Sequence, residues 1–188
     1  MLAFDTAVAL AKSSKSSAVT LNMKNKDNIT LEVLQKLSQM SKENAVATTL
    51  NFEFTDSSGS VVTRLNIDPS KATKSIEATA CFDNTVVLSV KNIYNTYFKN
   101  KIAILKLGYV GALEPGQTRD IGTPVNVATK LPLTNMDTTK LKFYVHDPIT
   151  NSSQAIITNY HIDNEGFLHF STDKSGYVII SEGSLERK

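Results

Sequence analysis

The sequence predicts an α+β protein, in which an N-terminal part of mixed helices and strands packs with a C-terminal antiparallel β-rich meander. The strongest observation is the alternation of apolar and polar residues through residues 141–181, because a period of two is typical of strands with one solvated face. A second is the Asp-Asn-Glu-Gly turn at 163–166, since Asn and Gly tolerate the positive φ of tight hairpins. A third is the spacing of apolar residues at 33, 34, 37 and 40, which predicts an amphipathic helix.

The N-terminal part, residues 1–75, is predicted to have the order αβαββ. Thr30 is the predicted N-cap of the second helix, because its hydroxyl can accept a hydrogen bond from a free N–H of the first turn. Since this helix connects two strands, we expect those strands to be parallel and to be neighbours or near-neighbours in the sheet, joined by a right-handed connection. The predicted elements are, in order, a helix at 4–12, a strand at 19–23, a turn at 25–28, a helix at 30–44 and a hairpin of strands at 49–55 and 61–67.

The β-rich part, residues 76–188, is predicted to contain one short helix at 90–99, where apolar residues recur every three or four positions. Its last four strands, between residues 141 and 181, are expected to follow one another as an antiparallel meander with one buried face. We expect the two parts to form one compact unit or two tightly packed subdomains. The other predicted elements are extended segments at 76–82 and 85–90, a turn at 83–84 between them, and strands at 101–107 and 124–133.

Composition and charge narrow the classes of partner. The chain has 20 basic and 18 acidic residues and no basic block, so we do not expect a nucleic-acid partner. No apolar run reaches the roughly 18 residues of a spanning helix, so no membrane span is expected. Abundant Ser, Thr and Asn, together with the absence of Trp, favour a secreted protein. The single cysteine, Cys81, excludes an internal disulfide and is expected to be a small buried side chain.

The tripeptide His169-Phe170-Ser171 is the sharpest local pattern. On a strand, His169 and Ser171 point to the same face, where the imidazole could activate the hydroxyl for attack on the preceding carbonyl. An N-to-O acyl shift of this kind underlies self-cleavage in some eukaryotic receptor domains with a His-Phe-Ser or His-Leu-Ser tripeptide, and it also requires a strained peptide bond. The alternative is an ordinary strand with polar residues on its solvated face.

All three histidines lie in the predicted meander, where they could meet if their strands are neighbours. His146 and His161 lie opposite the apolar alternation and are predicted to face solvent. Since no paired spacing such as HxH or HxxxH occurs, we predict no metal site. Asp163, Asn164 and Glu165 do not follow the alternating ligand pattern of a calcium loop, and are predicted to form a plain hairpin turn.

The richest aromatic stretch supplies candidate ligand-binding residues, Tyr94, Tyr97 and Tyr109. Sugar-binding modules stack pyranose rings on planar aromatic side chains, so exposed tyrosines in a shallow groove would favour carbohydrate binding. The alternative is that these aromatic residues pack in the core. The sequence has no G-x-S-x-G nucleophile elbow and no Gly-rich phosphate loop, so we predict no catalytic residues, no cofactor and no enzymatic activity.

Two stretches of the sequence carry a family resemblance. The first is a strand–helix–strand–hairpin segment at 19–67, whose helix begins ITLEVL at 29–34. The second reads KLKFY at 140–144, YHIDNEGFLHFST at 160–172 and GYVIISEGSL at 176–185. Together they resemble a module of uncharacterised secreted or cell-surface proteins of clostridial and ruminococcal Firmicutes, some of which also carry dockerin or cohesin parts.

This resemblance implies an extracellular or wall-attached location and a structural or binding role, without catalytic residues. We therefore expect a non-enzymatic spacer, presentation or adhesion module. Its expected partners are other modules of a longer surface protein, and a polysaccharide or host glycoprotein as ligand. The alternative function is a carbohydrate-binding module that uses exposed tyrosines.

Overall fold

Two large, mainly antiparallel sheets and two α-helices account for most of the chain that the structure describes. The structure is a computed structural model, and it describes Ala9 and residues 18–23, 27–29, 31–43, 49–73, 76–78, 80–81, 85–107, 120–130, 135–147, 150–174 and 176–188. The helices are α1 (Leu31–Glu43) and α2 (Thr85–Tyr97). The strands are β1 (Ala18–Met23), β2 (Asp27–Ile29), β3 (Thr49–Thr55), β4 (Val61–Ile67), β5 (Ile76–Ala78), β6 (Ala80–Cys81), β7 (Ile102–Leu107), β8 (Asp120–Thr129), β9 (Leu141–Asp147), β10 (Ser152–Ile156), β11 (His161–Ile162), β12 (Leu168–Lys174) and β13 (Gly176–Glu182).

The first large sheet has six strands in the order β1-β3-β4-β8-β12-β11. Its β1 and β3 are parallel, as predicted for two strands connected through a helix, and its other pairs are antiparallel. The second large sheet is antiparallel throughout, in the order β10-β9-β13-β7-β6, and β2 pairs with β5 separately. This architecture confirms the predicted α+β class with a β-rich C-terminal part.

The main core lies between the two large sheets. Phe52 and Phe170 of the six-stranded sheet belong to the same buried cluster as Phe143 and Val178 of the five-stranded sheet, and Leu34 of α1 joins them. A second cluster lies on the other face of the five-stranded sheet, where α2 packs. Its fully or nearly buried members are Val90, Tyr94, Ile102, Ile104, Tyr177 and Ile179. The five-stranded sheet is therefore a middle layer with both faces covered, whereas the six-stranded sheet has one face in the core.

The six-stranded sheet combines strands from both sides of residue 75, the predicted boundary between the two parts of the chain. In particular, β4 of the N-terminal part pairs with β8 through Thr63 to Ile67. Thr63 and Thr129 are both fully buried at this joint, and their hydroxyl oxygens lie 2.8 Å apart. The two predicted parts therefore share one core.

The pairing within residues 141–181 differs from a simple succession of neighbours. The β9–β10 and β11–β12 hairpins form, but β11 and β12 belong to the six-stranded sheet, whereas β9, β10 and β13 belong to the five-stranded sheet. The reason is that an alternating pattern specifies which side chains are buried, not which strand is the neighbour. The segment 157–160, which has no regular secondary structure, carries the chain from one sheet to the other.

Two local predictions are wrong, and others lie outside the described residues. Residues 85–90 belong to α2 instead of a strand, because the helix continues the face on which Val90 and Tyr94 pack against the five-stranded sheet. Part of the predicted turn at 25–28 is strand, since Asp27 and Asn28 pair with β5. The predictions outside the described residues are the helix at 4–12 (apart from Ala9), the Thr30 cap, the turn at 83–84 and the Cys81 side chain.

The α-helices of the described ranges are α1 and α2. Neither helix is long and apolar enough to cross a membrane.

Candidate functional site

The outer face of the six-stranded sheet is a polar surface on which one row of side chains crosses five strands. Strand residues alternate between faces, so Asn51 points outward between the buried Leu50 and Phe52. The backbone register then places an outward-pointing polar residue beside Asn51 on each successive strand. This polar row consists of Thr20 (β1), Asn51 (β3), Asn66 (β4), Asn126 (β8) and Ser171 (β12).

Hydrogen bonds along the polar row all donate in the direction of β1. Ser171 Oγ donates to Asn126 Oδ1, and Asn66 Nδ2 donates to Asn51 Oδ1. Asn51 Nδ2 donates in turn to Thr20 Oγ1 over 3.5 Å. Because consecutive hydrogen bonds that run in one direction polarise one another, the bonds from Asn66 through Asn51 to Thr20 hold these two amides in a common orientation, while Ser171 holds Asn126 through a separate bond. At about 4.8 Å between strands, the row is about 19 Å long.

A second row lies two residues along the strands from the polar row, and we call it the charged row after its ion pair. It consists of Glu53 (β3), Arg64 (β4), Ala128 (β8), His169 (β12) and His161 (β11). Arg64 Nε lies 3.3 Å from Glu53 Oε1, and its guanidinium carbon lies 4.7 Å from the centre of the Phe167 ring. Lys130 Nζ is also 4.7 Å from that ring centre. Both charged groups of the Arg64–Glu53 pair are partly exposed, so the ion pair contributes at most about 1 kcal/mol to folding. It nevertheless fixes both side chains on the outer face.

Two histidines end the charged row at the edge of the sheet. His161 and His169 are directly opposite each other on β11 and β12, and their rings stack with centroids 4.5 Å apart. His169 Nε2 lies 2.7 Å from Asp163 Oδ2, while Asp163 Oδ1 accepts hydrogen bonds from the N–H groups of Glu165 and Phe167. The His169 hydrogen bond, with the backbone donors, lowers the pKa of the Asp163 carboxyl. The His161 side chain is exposed, as predicted. Residues 163–166 form the predicted hairpin turn, in which Gly166 has a φ of 84°.

The candidate self-cleavage tripeptide lies on this same strand. His169 and Ser171 share the outer face of β12, as predicted, and Phe170 between them is buried. Their hydrogen bonds run to other partners, since His169 contacts Asp163 and Ser171 donates to Asn126. Phe170 and Ser171 both pair in register with β8, and the irregularity of the ladder comes later, between Thr172 and Lys174. The described geometry therefore places the tripeptide in a regular strand.

His146 does not face solvent, which corrects the sequence prediction. It is 3% exposed, because the second face of β9 is covered by α2. Its Nδ1 lies 3.1 Å from the Tyr94 hydroxyl, and the two rings meet edge to face. Burial raises the pKa of the Tyr94 phenol, and a hydrogen bond with Ser153 opposes that change. This pair is part of the packing between α2 and the five-stranded sheet.

The three candidate tyrosines do not form one described platform. Tyr94 is 3% exposed and stacks with Phe98, so it belongs to the core and is not accessible to a ligand. Tyr97 is 61% exposed on the same helix, and Tyr109 lies outside the described residues. Within the described ranges, no three His, Cys, Asp or Glu side chains are arranged to hold a metal ion.

Sequence reasoning missed the three asparagines of the polar row, although a signal is present. Each lies between two apolar residues of a strand, in the tripeptides Leu-Asn-Phe at 50–52, Leu-Asn-Ile at 65–67 and Val-Asn-Val at 125–127. Asn is depleted in strands, so its recurrence at solvated strand positions is unusual. The register that aligns the three residues depends on long-range pairing, which the sequence does not encode locally.

Comparison of this chain with protein-family models, curated proteins and solved structures gives no match.

Proposed function

We propose that this chain is a non-enzymatic extracellular module that acts through the outer face of its six-stranded sheet, as an adhesion or presentation unit of a bacterial surface protein. The observation that carries the proposal is the polar row, in which aligned polar side chains cross five strands and are hydrogen-bonded in two groups, β12 with β8 and β4 with β3 and β1. A secreted-like composition and the resemblance to Firmicutes surface modules motivate the extracellular location.

The chemistry of the polar row suits a binding surface better than a purely structural one. Thr or Val would be better strand residues than Asn at positions 51, 66 and 126, so the amides are not explained by strand propensity. Each amide offers two donors and two acceptor lone pairs, of which the row uses only some. Because the neighbours already hold the amides in place, a ligand that binds the remaining groups loses little side-chain entropy.

The expected ligand is a polysaccharide or a host glycoprotein. The polar row is uncharged, and hydroxyl groups of sugars can both donate to and accept from amides. The charged row beside it carries both signs, which does not favour a strongly charged ligand. Further modules of a longer surface protein would then supply attachment to the cell.

The second candidate is carbohydrate binding through exposed tyrosines. Tyr97 favours it, since 61% exposure on α2 leaves its ring accessible for stacking on a sugar. Tyr94 is buried and does not contribute. The two candidates place the ligand on different elements, because α2 packs on the five-stranded sheet while the polar row lies on the six-stranded sheet.

An array of glycans and host glycoproteins distinguishes the two. We expect the wild-type chain to bind, and the triple variant Asn51→Thr/Asn66→Thr/Asn126→Thr to bind at least ten-fold more weakly. Thr is favoured in strands, so this variant keeps the fold. Gln39→Ala on α1 is the control for an exposed amide away from the row, and it should bind as the wild type does. Equal binding by the triple variant, together with loss of binding in Tyr97→Ala, would support the tyrosine alternative instead.

A further inference from the structure

A groove lies where the two large sheets separate, beside the segment that connects β10 to β11. Its volume is about 440 Å³, within the range of small ligand-binding sites. One wall is the end of β10 and the following residue, and the other is the second half of β12. The lining residues are Pro124, Gln154, Ala155, Ile156, Ile157, Ser171, Thr172, Asp173 and Lys174.

One wall of the groove, β10, is a strand edge that lacks a neighbouring strand on one side among the described residues, whereas the edge of β12 is partly occupied. β10 is the end strand of the five-stranded sheet and pairs only with β9. β11 pairs with only two residues of β12, Leu168 and His169, so β12 continues beyond it from Ser171 to Lys174. On that edge, the N–H of Ser171 donates to the side-chain hydroxyl of Thr158, 3.0 Å away, in place of a strand carbonyl. The outer backbone edge of β10, in contrast, has no strand neighbour among the described residues, and such an edge is a template for an added strand.

The side chains around the groove are uncharged, apart from one pair of opposite charges that lie close together. The residues of β10, from Ser152 to Ile156, include no charge and no proline, whereas strand edges that avoid pairing usually carry one or the other. Asp173 and Lys174 are the ionisable residues of the lining, and their side chains lie 3.6 Å apart. The Ile157 side chain is fully exposed at the mouth of the groove, while Ile156 packs partly into the core.

We propose that this groove binds an extended, uncharged peptide segment of a partner protein, which pairs with the outer edge of β10 and places an apolar side chain against Ile157. The outer backbone edge of β10 selects a peptide, because only a peptide backbone matches its spacing of donors and acceptors along the strand. The neutral lining selects an uncharged segment. β10 has five residues, so the added strand covers about 17 Å at 3.4 Å per residue.

The site is separate from the polar row, so it adds a second surface to the proposed function. The polar row uses outward-facing side chains of the six-stranded sheet, whereas the groove uses backbone groups at the open side between the sheets. Ser171 belongs to the row and also lines the groove, but its backbone N–H donates to Thr158, so β10 supplies the groups that pair with the peptide. A test of the groove therefore uses substitutions on β10, which leave the polar row unchanged.

The experiment begins with an array of uncharged heptapeptides in which Val, Ile, Leu, Phe or Tyr alternates with Ser or Thr. The best binders are then titrated into the isotope-labelled full chain, and backbone amide shifts are followed by NMR. We expect saturable shifts confined to residues 152–158 and 171–174, with a Kd below about 1 mM. The same peptide with N-methyl groups at alternate residues should bind at least ten-fold more weakly, since it lacks the donors for strand pairing.

Ala155→Lys supplies the matched variant, because a charge on the exposed edge opposes strand addition. It should weaken peptide binding at least ten-fold, whereas Asn92→Lys on the exposed face of α2 should leave binding unchanged. Gln154→Lys serves the same purpose if Ala155→Lys does not fold. Three results would overturn the proposal: no array peptide binds, binding is equal in the lysine variants, or the chain instead dimerises through β10 when no peptide is present.

Discussion

The contact between Phe143 and Phe170 gives the sharpest test of how the β-rich part is divided between two sheets. Phe143 lies on β9 of the five-stranded sheet and Phe170 on β12 of the six-stranded sheet, and their ring centroids are 4.8 Å apart. The two side chains are 3% and 4% exposed. If residues 141–181 formed one sheet of successive neighbours, the strands of these two residues would be separated by another strand, and the rings would not meet.

We therefore predict energetic coupling between the substitutions Phe143→Leu and Phe170→Leu. Each single variant should lower the free energy of unfolding by about 1–1.5 kcal/mol, because Leu fills most of the volume that Phe occupies. The aromatic pair contributes about 0.5–1.5 kcal/mol beyond its buried area, and this part is lost in either single variant. The double variant should therefore lose less stability than the sum of the two single variants, by about 0.5–1 kcal/mol.

Urea unfolding of the four proteins, followed by circular dichroism, measures this coupling. The control cycle combines Phe170→Leu with Ile179→Val, because Ile179 packs in the second cluster on the far face of the five-stranded sheet. That pair should be additive within about 0.3–0.5 kcal/mol. Additivity of the Phe143 and Phe170 substitutions as well would refute the face-to-face packing of the two sheets.

Three further predictions concern buried and hydrogen-bonded polar groups. Thr63→Val should destabilise the fold by about 1–3 kcal/mol, because it removes a partner of the buried Thr129 hydroxyl. The double variant Thr63→Val/Thr129→Val should be closer to the wild type in stability. A double variant that is less stable than either single variant in urea unfolding would contradict this prediction. Tyr94→Phe should lower the free energy of unfolding by about 1 kcal/mol, because the hydrogen bond to His146 is lost, and unchanged stability would mean that this contact does not form. Asp163→Asn should be less stable than wild type near neutral pH. The folded pKa of Asp163 lies below its ordinary value of 3.8, so its stabilisation is complete above that value and is lost as the pH falls through the folded pKa. Melting temperatures of the two proteins should therefore converge as the pH falls below 3.8, and a constant difference across that range would count against the His169–Asp163 contact.

Local patterns were sufficient to predict the elements that depend on neighbouring residues. The β3–β4 hairpin follows from alternation around the Asp-Ser-Ser-Gly turn, where Gly59 takes φ 85° and its N–H donates to Asp56. The parallel pairing of β1 and β3 follows from the helix between them, since a helical crossover returns the chain in the same direction. These predictions needed no knowledge of distant residues.

Predictions that depended on distant residues were less successful. His146 lies on the polar side of an alternating strand, which favours exposure, but α2 covers that side and buries the ring. The alignment of Asn126 with Asn51 and Asn66 requires the register between β4 and β8, which are far apart in sequence, in addition to the local register of the β3–β4 hairpin. The division of β12 and β13 between two sheets likewise depends on which partner each strand finds, since both strands carry buried apolar residues.

The account depends most on the claim that ligand contacts the polar row of the six-stranded sheet. The most direct measurement is NMR mapping of the backbone and side-chain amides of the full chain during titration with the strongest ligand from the glycan and glycoprotein array. We predict that the largest shifts are those of the side-chain amides of Asn51, Asn66 and Asn126. Shifts centred on Tyr97 and α2, with these three amides unchanged, would contradict the claim.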